Sequence, residues 1–207
     1  MSAIARRPEW IAAALFVLAL VIANRGVPEF SHLIHPLALR GSAGLPWAFG
    51  FNLLAFVLPG ALLVCAGFRL RRGLGDAGWL ARIGIVLVQL SALAYAAQGM
   101  LPMDPDDADS SATRLHVLAW MLWWIAFVPG ALLLGVGAKR GIGFALTCVA
   151  AAVLVPLLAV LAPIGLWVGI AQRLAFALWF GWWLLAGSSV ASRVSASSRG
   201  SSKTAGR

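Results

Sequence analysis

Six runs of nearly unbroken apolar residues, at 10–23, 47–68, 79–97, 115–136, 141–161 and 174–190, limit more than any other feature what this chain can become. A helix needs about 20 apolar residues to cross the hydrocarbon core of a bilayer. The four middle runs meet that length, while the first and last need flanking residues or local thinning. At 61% hydrophobic and 11% charged residues, a chain of 207 cannot hide this much apolar surface in one soluble core. Lipid is the fitting solvent, and in lipid the backbone must satisfy its own hydrogen bonds. The expected fold is all-α: a polytopic membrane bundle of six transmembrane helices over residues 1–190. Trp10, Trp47, Trp79 and Trp167 lie at or beside the ends of runs, where an indole prefers the headgroup layer.

The charges between the runs orient the bundle. Arg6, Arg7, Arg69, Arg71, Arg72, Arg82, Lys139, Arg140, Arg193, Arg199, Lys203 and Arg207 fall on one side, against Arg25, Arg40, Arg114 and Arg173 on the other. Positive charge is retained on the cytoplasmic side, so both termini are expected there and the acidic loop is expected outside. The net charge of +9 is broken into short basic segments, which fits anionic lipid headgroups and not nucleic acid. Residues 191–207 are basic and Ser-rich, the composition of a disordered cytoplasmic tail. The first run reads either as a cleavable signal peptide or as an uncleaved anchor. Trp10 at its entrance, and the need to pair the helices that follow, favour the anchor.

Ala55-Phe-Val-Leu-Pro-Gly-Ala-Leu-Leu63 recurs as Ala126-Phe-Val-Pro-Gly-Ala-Leu-Leu133, one residue shorter. A duplicated helical hairpin and a coincidence of composition both explain this, and Pro59 and Pro129 are expected to kink the second and fourth helices in either case.

Much chemistry is missing. Cys65 and Cys148 sit inside apolar runs with no paired spacing, so no disulfide, metal site or cofactor is expected. No charge falls near the middle of a run, where ion-coupled carriers place theirs. Gln89, Ser91, Tyr95 and Thr147 are the deepest polar groups, suited to interhelical hydrogen bonds. The Asp104–Asp109 run does not follow the pattern of a calcium loop, and no phosphate-binding, zinc-protease or nucleophile-elbow motif occurs.

What chemistry remains gathers on the outer side. The segment 100–116 holds Asp104, Asp106, Asp107 and Asp109, four of the seven acidic residues, and ends at His116. His116 falls in the first turn of the fourth helix, whose dipole disfavours a protonated imidazole. His32 and His35 lie in the first outer loop, and Arg173 opens the sixth helix from the same side, within reach of Asp104 across the bundle. An exposed acidic loop is equally well explained as merely solvated, and Arg173 as snorkelling to the surface.

Pro102-Met-Asp104-Pro105 followed by His116, Ser31-His-Leu-Ile-His35-Pro36 ahead of Phe51-Asn52, Phe56-Val-Leu-Pro-Gly60 and Gly169-Ile-Ala-Gln-Arg173 together resemble a bacterial six-helix membrane family, domain of unknown function 998. The resemblance runs to about Val190. It implies six spans and a shared outer Pro-x-Asp…His pattern, with no established activity, and it points to His35, Asp104, His116 and Arg173 as ligand-binding candidates. Gln172 stands where an acidic partner for Arg173 would be natural.

Three functional readings stay open. The first is an outer-face pocket that binds a lipid, small ligand or partner protein without catalysis. The second is a membrane-embedded hydrolase or transferase, with His116 as base and Asp104 as orienter. The third is a small transporter, which requires a polar path through the bundle.

Overall fold

The structure is a computed structural model that describes residues 7–107, 109–161 and 167–204, with side chains through Ser188 in the last helix. Every regular element among the described residues is helical. The elements are α1 (Pro8–Ile22), a short 3-10 turn (Leu37–Gly41), α2 (Ala48–Arg72), α3 (Trp79–Met100), α4 (Ser111–Gly137), α5 (Ile142–Leu161) and α6 (Val168–Thr204). α2 to α6 each contain a stretch long and apolar enough to cross a membrane; α1, with 15 residues, is apolar but shorter.

The helices begin where caps and turns allow, not where hydropathy rises. α4 starts at Ser111 because Ser110 Oγ accepts the Thr113 amide at its N-terminus, a side-chain N-cap. α6 starts six residues before its apolar run. The turn into α5 passes through Lys139 at φ 49° and Gly141 at φ 89°, left-handed positions that make a tight hairpin. The α6 backbone continues as helix through Thr204, a stretch with no proline to break it. Of the tail over 191–207 that the sequence suggests is disordered, only the backbone through Thr204 is described, and 205–207 lie outside the described residues.

α3 is the most enclosed of the five long helices, and glycine brings both hairpins against it. On one side Gly60 of α2 sits where a Cβ would come within 2.7 Å of Ala96, and Gly67 meets Gln89. On the other, Gly130 of α4 lies against Leu87 and Val88, and Gly137 against Leu80 and Ala81. Without a hydrophobic drive between helices in lipid, close backbone approach of this kind holds a bundle together. Both Pro-Gly segments therefore seat on the same helix.

The one-residue difference between those segments has a structural counterpart. In α2 the five residues Leu53–Val57 form a π-helical turn directly before Leu58-Pro59, whereas α4 runs as α-helix through Pro129. A π turn takes up one inserted residue, so Ala55 and Phe56, like Ala126 and Phe127, stay buried on the glycine face. Pro59 has no N–H to give the Ala55 carbonyl four residues back. The chain's single tyrosine serves it: the Tyr95 hydroxyl donates to Ala55 O at 2.9 Å. Gln89 Nε2 likewise donates to Val64 O at 3.2 Å, while the Thr147 hydroxyl bonds back within its own helix to Gly143 O.

An aromatic cluster fills the bundle around Tyr95. Its ring lies 4.8 Å from Trp179, 5.1 Å from Phe176 and 5.3 Å from Phe56, and Trp123 lies 4.7 Å from Phe176. Trp123, Trp179, Trp182 and Trp183 are fully buried, whereas Trp10, Trp47, Trp79 and Trp167 at the helix ends are all exposed.

The ends of the bundle differ in character. At one, buried Glu9 of α1 pairs with Arg69 of α2 at 3.3 Å beside Gly187 of α6, and Arg140 donates to Ala186 O. At the other, the loops 24–47 and 101–110 meet the start of α6, through Ala43 N to Met103 O and Ile170 N to Leu33 O.

The packing on α3 has a direct check. Gly130→Val is expected to lower stability in mild detergent by about 1–3 kcal/mol through overpacking, read as a drop in thermal midpoint. Gly143→Ala, where a Cβ meets open space, is expected to leave it unchanged or slightly raised.

Candidate functional site: a capped helix end and its cavity

α3 ends at Met100, so its last carbonyls have no intrahelical donor. His116, reaching across from the second turn of α4, supplies one. Its Nδ1 lies 2.8 Å from Leu101 O and 3.1 Å from Gln98 O. Both partners are carbonyls and can only accept, so Nδ1 carries the proton and Nε2 is left with its lone pair. His116 sits one turn deeper than hydropathy implied, because α4 begins at Ser111.

The acidic loop is organised by a residue the sequence did not single out. Thr113, nearly fully buried, accepts the Asp104 amide at 3.1 Å and the Ser110 hydroxyl at 2.9 Å, and its own hydroxyl faces Asp104 O and Asp107 O. Asp104 Oδ1 accepts the Asp106 amide, and Asp107 Oδ1 accepts that of Asp109, the short-range turns these side chains favour. No hydrogen bond joins Asp104 to His116. Asp109 meets Arg114 at 3.4 Å in an exposed pair.

Arg173 does not pair with Asp104, the pairing the sequence allowed: its Nε and Nη1 are taken by a ring and main chain, and its Nη2 is buried without a partner. Nη1 donates to Gly169 O at 2.7 Å and His35 O at 2.9 Å, Nε donates to His32 Nδ1 at 3.2 Å, and the guanidinium stacks over Phe30. Arg173 thus clamps the loop that carries both histidines onto the start of α6. Gly169 permits the approach, since a Cβ there would come 2.6 Å from His32 O. His32 and His35 both accept on Nδ1, the latter from the Ser31 amide.

Of the four candidates, the structure bonds Arg173 to the His35 carbonyl, and no hydrogen bond among the described residues joins Asp104 or His116 to them or to each other. His35 lines one cavity of about 210 Å³ with Phe30, Ser42 and Pro105. His116 lines another of about 220 Å³, between α4, the π-helical end of α5 and the start of α6, with Pro36, Trp120, Ala159 and Gln172. The two neighbour each other along the chain at His35–Pro36 and Gln172–Arg173. A larger groove of about 550 Å³ runs along α2 past Phe49, Leu53 and Met100, but its one amide, Asn52, donates to Gly41 O.

Sequence reasoning missed Gln172 and Arg40. Gln172 Oε1 accepts the Leu37 amide at 2.7 Å, which orients its NH₂ and explains a neutral residue before Arg173. Arg40, buried without a carboxylate, donates to Ala23 O, Pro46 O and Arg25 O, capping α1. Burial pulls its pKa below the ordinary arginine value. Among the described residues no three His, Cys, Asp or Glu side chains converge as a metal site would require.

A family model described as "Protein of unknown function (DUF998)" matches residues 10–189. No curated protein and no solved structure matches the chain.

Burial, and then the Arg173 charge, hold the His32 pKa below its usual 6.5. The folded state therefore keeps His32 neutral, while the unfolded chain takes up its proton first. Its contribution is complete above pH 6.5 and is lost as pH falls through the window below that value. The thermal midpoint is expected to fall between about pH 7.5 and about pH 5.5, and His32→Asn to flatten that slope. An equally steep slope in the variant assigns the effect to another group.

Proposed function

The chain belongs to the DUF998 family of proteins of unknown function, and from that premise we propose a multi-pass protein of the bacterial plasma (inner) membrane whose outer-face pocket, centred on His116, binds a lipid or small ligand without catalysis. The observation that carries this reading is a buried imidazole that lines a cavity while its Nδ1 faces the carbonyls of Leu101 and Gln98, an arrangement that leaves the Nε2 of the neutral ring as an acceptor.

In this reading α1 is the sixth span. It starts at the end where Glu9 meets Arg69 and finishes where Arg40 donates to Ala23 O, so it runs between the same two ends of the bundle as its neighbours. Both termini are cytoplasmic. Of the four outer arginines, Arg40 and Arg173 are bound to main-chain carbonyls and Arg114 to Asp109, which leaves little free positive charge on that face. The twelve basic residues of the opposite side meet anionic headgroups. Asp104 supports the outer loop that shapes the pocket and does not act on the ligand.

The other readings draw less support. A transporter needs a polar path, and aromatic rings occupy the interior around Tyr95. A hydrolase needs an oriented base, and the Asp104 carboxylate is bonded within its own loop.

Orientation is tested with single cysteines in a Cys65→Ala, Cys148→Ala background. An impermeant maleimide is expected to label Asp107→Cys in intact spheroplasts and Arg71→Cys only after permeabilisation; the reverse pattern overturns the topology. If His116→Ala matches the parent in every assay where deleting the protein has an effect, the pocket reading is lost.

A further inference from the structure

The chemistry of the His116 cavity selects a class of ligand. Among the described residues, the polar side-chain groups lining it are one acceptor and two donors, and none of these side chains is charged. The acceptor is His116 Nε2, because Nδ1–H is held by Leu101 O and Gln98 O. One donor is the Gln172 NH₂, because its Oε1 already accepts the Leu37 amide. The other is the Trp120 indole N–H, buried without a protein partner. The nearest cation in sequence, Arg173, is not among the described lining residues; its Nε and Nη1 are on His32, Gly169 O and His35 O, and its Nη2 is buried without a partner. The remaining walls are mostly apolar.

A lone-pair acceptor beside N–H donors fits a hydroxyl, which donates once and accepts twice. A carboxylate or phosphate would set negative charge against the imidazole lone pair with no cation among the described lining residues to offset its desolvation. An ammonium would find one acceptor and two opposed donors. At about 220 Å³ the cavity is smaller than the roughly 300–1,000 Å³ usual for a whole ligand, so it holds a headgroup and leaves the chain outside. Val117 at its rim is exposed and apolar, as are Leu118 and Met121 further along α4, which gives such a chain a surface to follow.

We propose that this cavity binds the neutral hydroxyl headgroup of a long-chain amphiphile, the hydroxyl donating to His116 Nε2 and accepting from Gln172 or Trp120. The proposal rests on the pocket reading above and narrows it. A glyceride and a long-chain prenol share this chemistry.

The test uses the full-length protein in nanodiscs with two photo-crosslinking probes that carry the same acyl chain, one ending in glycerol and one in a carboxylate. Crosslinked peptides are mapped by mass spectrometry. The glycerol probe is expected to label the α4 segment around Val117–Trp120 and the α5 end at Ala159, with the carboxylate probe at least tenfold weaker. Competition by dioctanoylglycerol or by farnesol identifies the source of the hydroxyl. Trp120→Phe, which keeps the ring and removes one N–H, is expected to weaken labelling about two- to tenfold, the range of one net hydrogen bond. His116→Ala abolishes it; since that variant also uncaps α3, its thermal midpoint is measured alongside. Equal or stronger labelling by the carboxylate probe at this cavity, sensitive to His116, overturns the hydroxyl class and leaves the pocket reading standing. No labelling of the cavity by either probe overturns both.

Discussion

A carbonyl left without a donor inside a bilayer is expensive, and that constraint decides where this chain places its polar side chains. Tyr95 serves the carbonyl that Pro59 cannot, Arg40 closes the end of α1, and His116 closes the end of α3. Arg173 holds the loop carbonyl of His35 and one turn of its own helix, Asn52 takes Gly41 O, and Gln89 adds a bond to Val64 O. Most of these bonds run from a side chain of one element to a main-chain carbonyl of another. Those of Tyr95, Gln89 and His116 tie α3 to its neighbours alongside the glycine contacts.

The candidate site is what remains after those bonds are made. An imidazole that donates from one nitrogen to a helix end must present a lone pair on the other. An amide that accepts a loop N–H must present its NH₂. His116 and Gln172 thus gain fixed polarity from structural tasks, and the cavity they line has a donor and acceptor pattern without any charge. The aspartates nearby follow the opposite course. Asp104 and Asp107 turn their carboxylates onto their own loop, where the backbone N–H groups of Asp106 and Asp109 are close at hand.

Hydropathy reports the solvent that each stretch faces, and for this reason the apolar runs, the helical class and the exposed tryptophans at helix ends were legible in the sequence. The π turn in α2 was visible only as one extra residue between two related segments, Ala55–Leu63 and Ala126–Leu133. The polar partners were not legible. Gln172 meets Leu37 across 135 residues, and Arg173 meets His32 across 141, so no local pattern announces either. Nothing local marks Thr113 or Glu9, yet the structure buries both, each with a partner on another segment or loop. The conspicuous acidic run bonds largely within its own loop, and the histidine at its end caps α3.

The most direct measurement is the protonation of that histidine. Side-chain ¹⁵N NMR of the labelled protein in lipid at neutral pH, assigned by comparison with His116→Gln, reads the two ring nitrogens separately. The account predicts a neutral ring with Nδ1 protonated and Nε2 bare. A ring protonated on Nε2, or an imidazolium, would contradict both the capping of α3 and the acceptor assigned to the cavity.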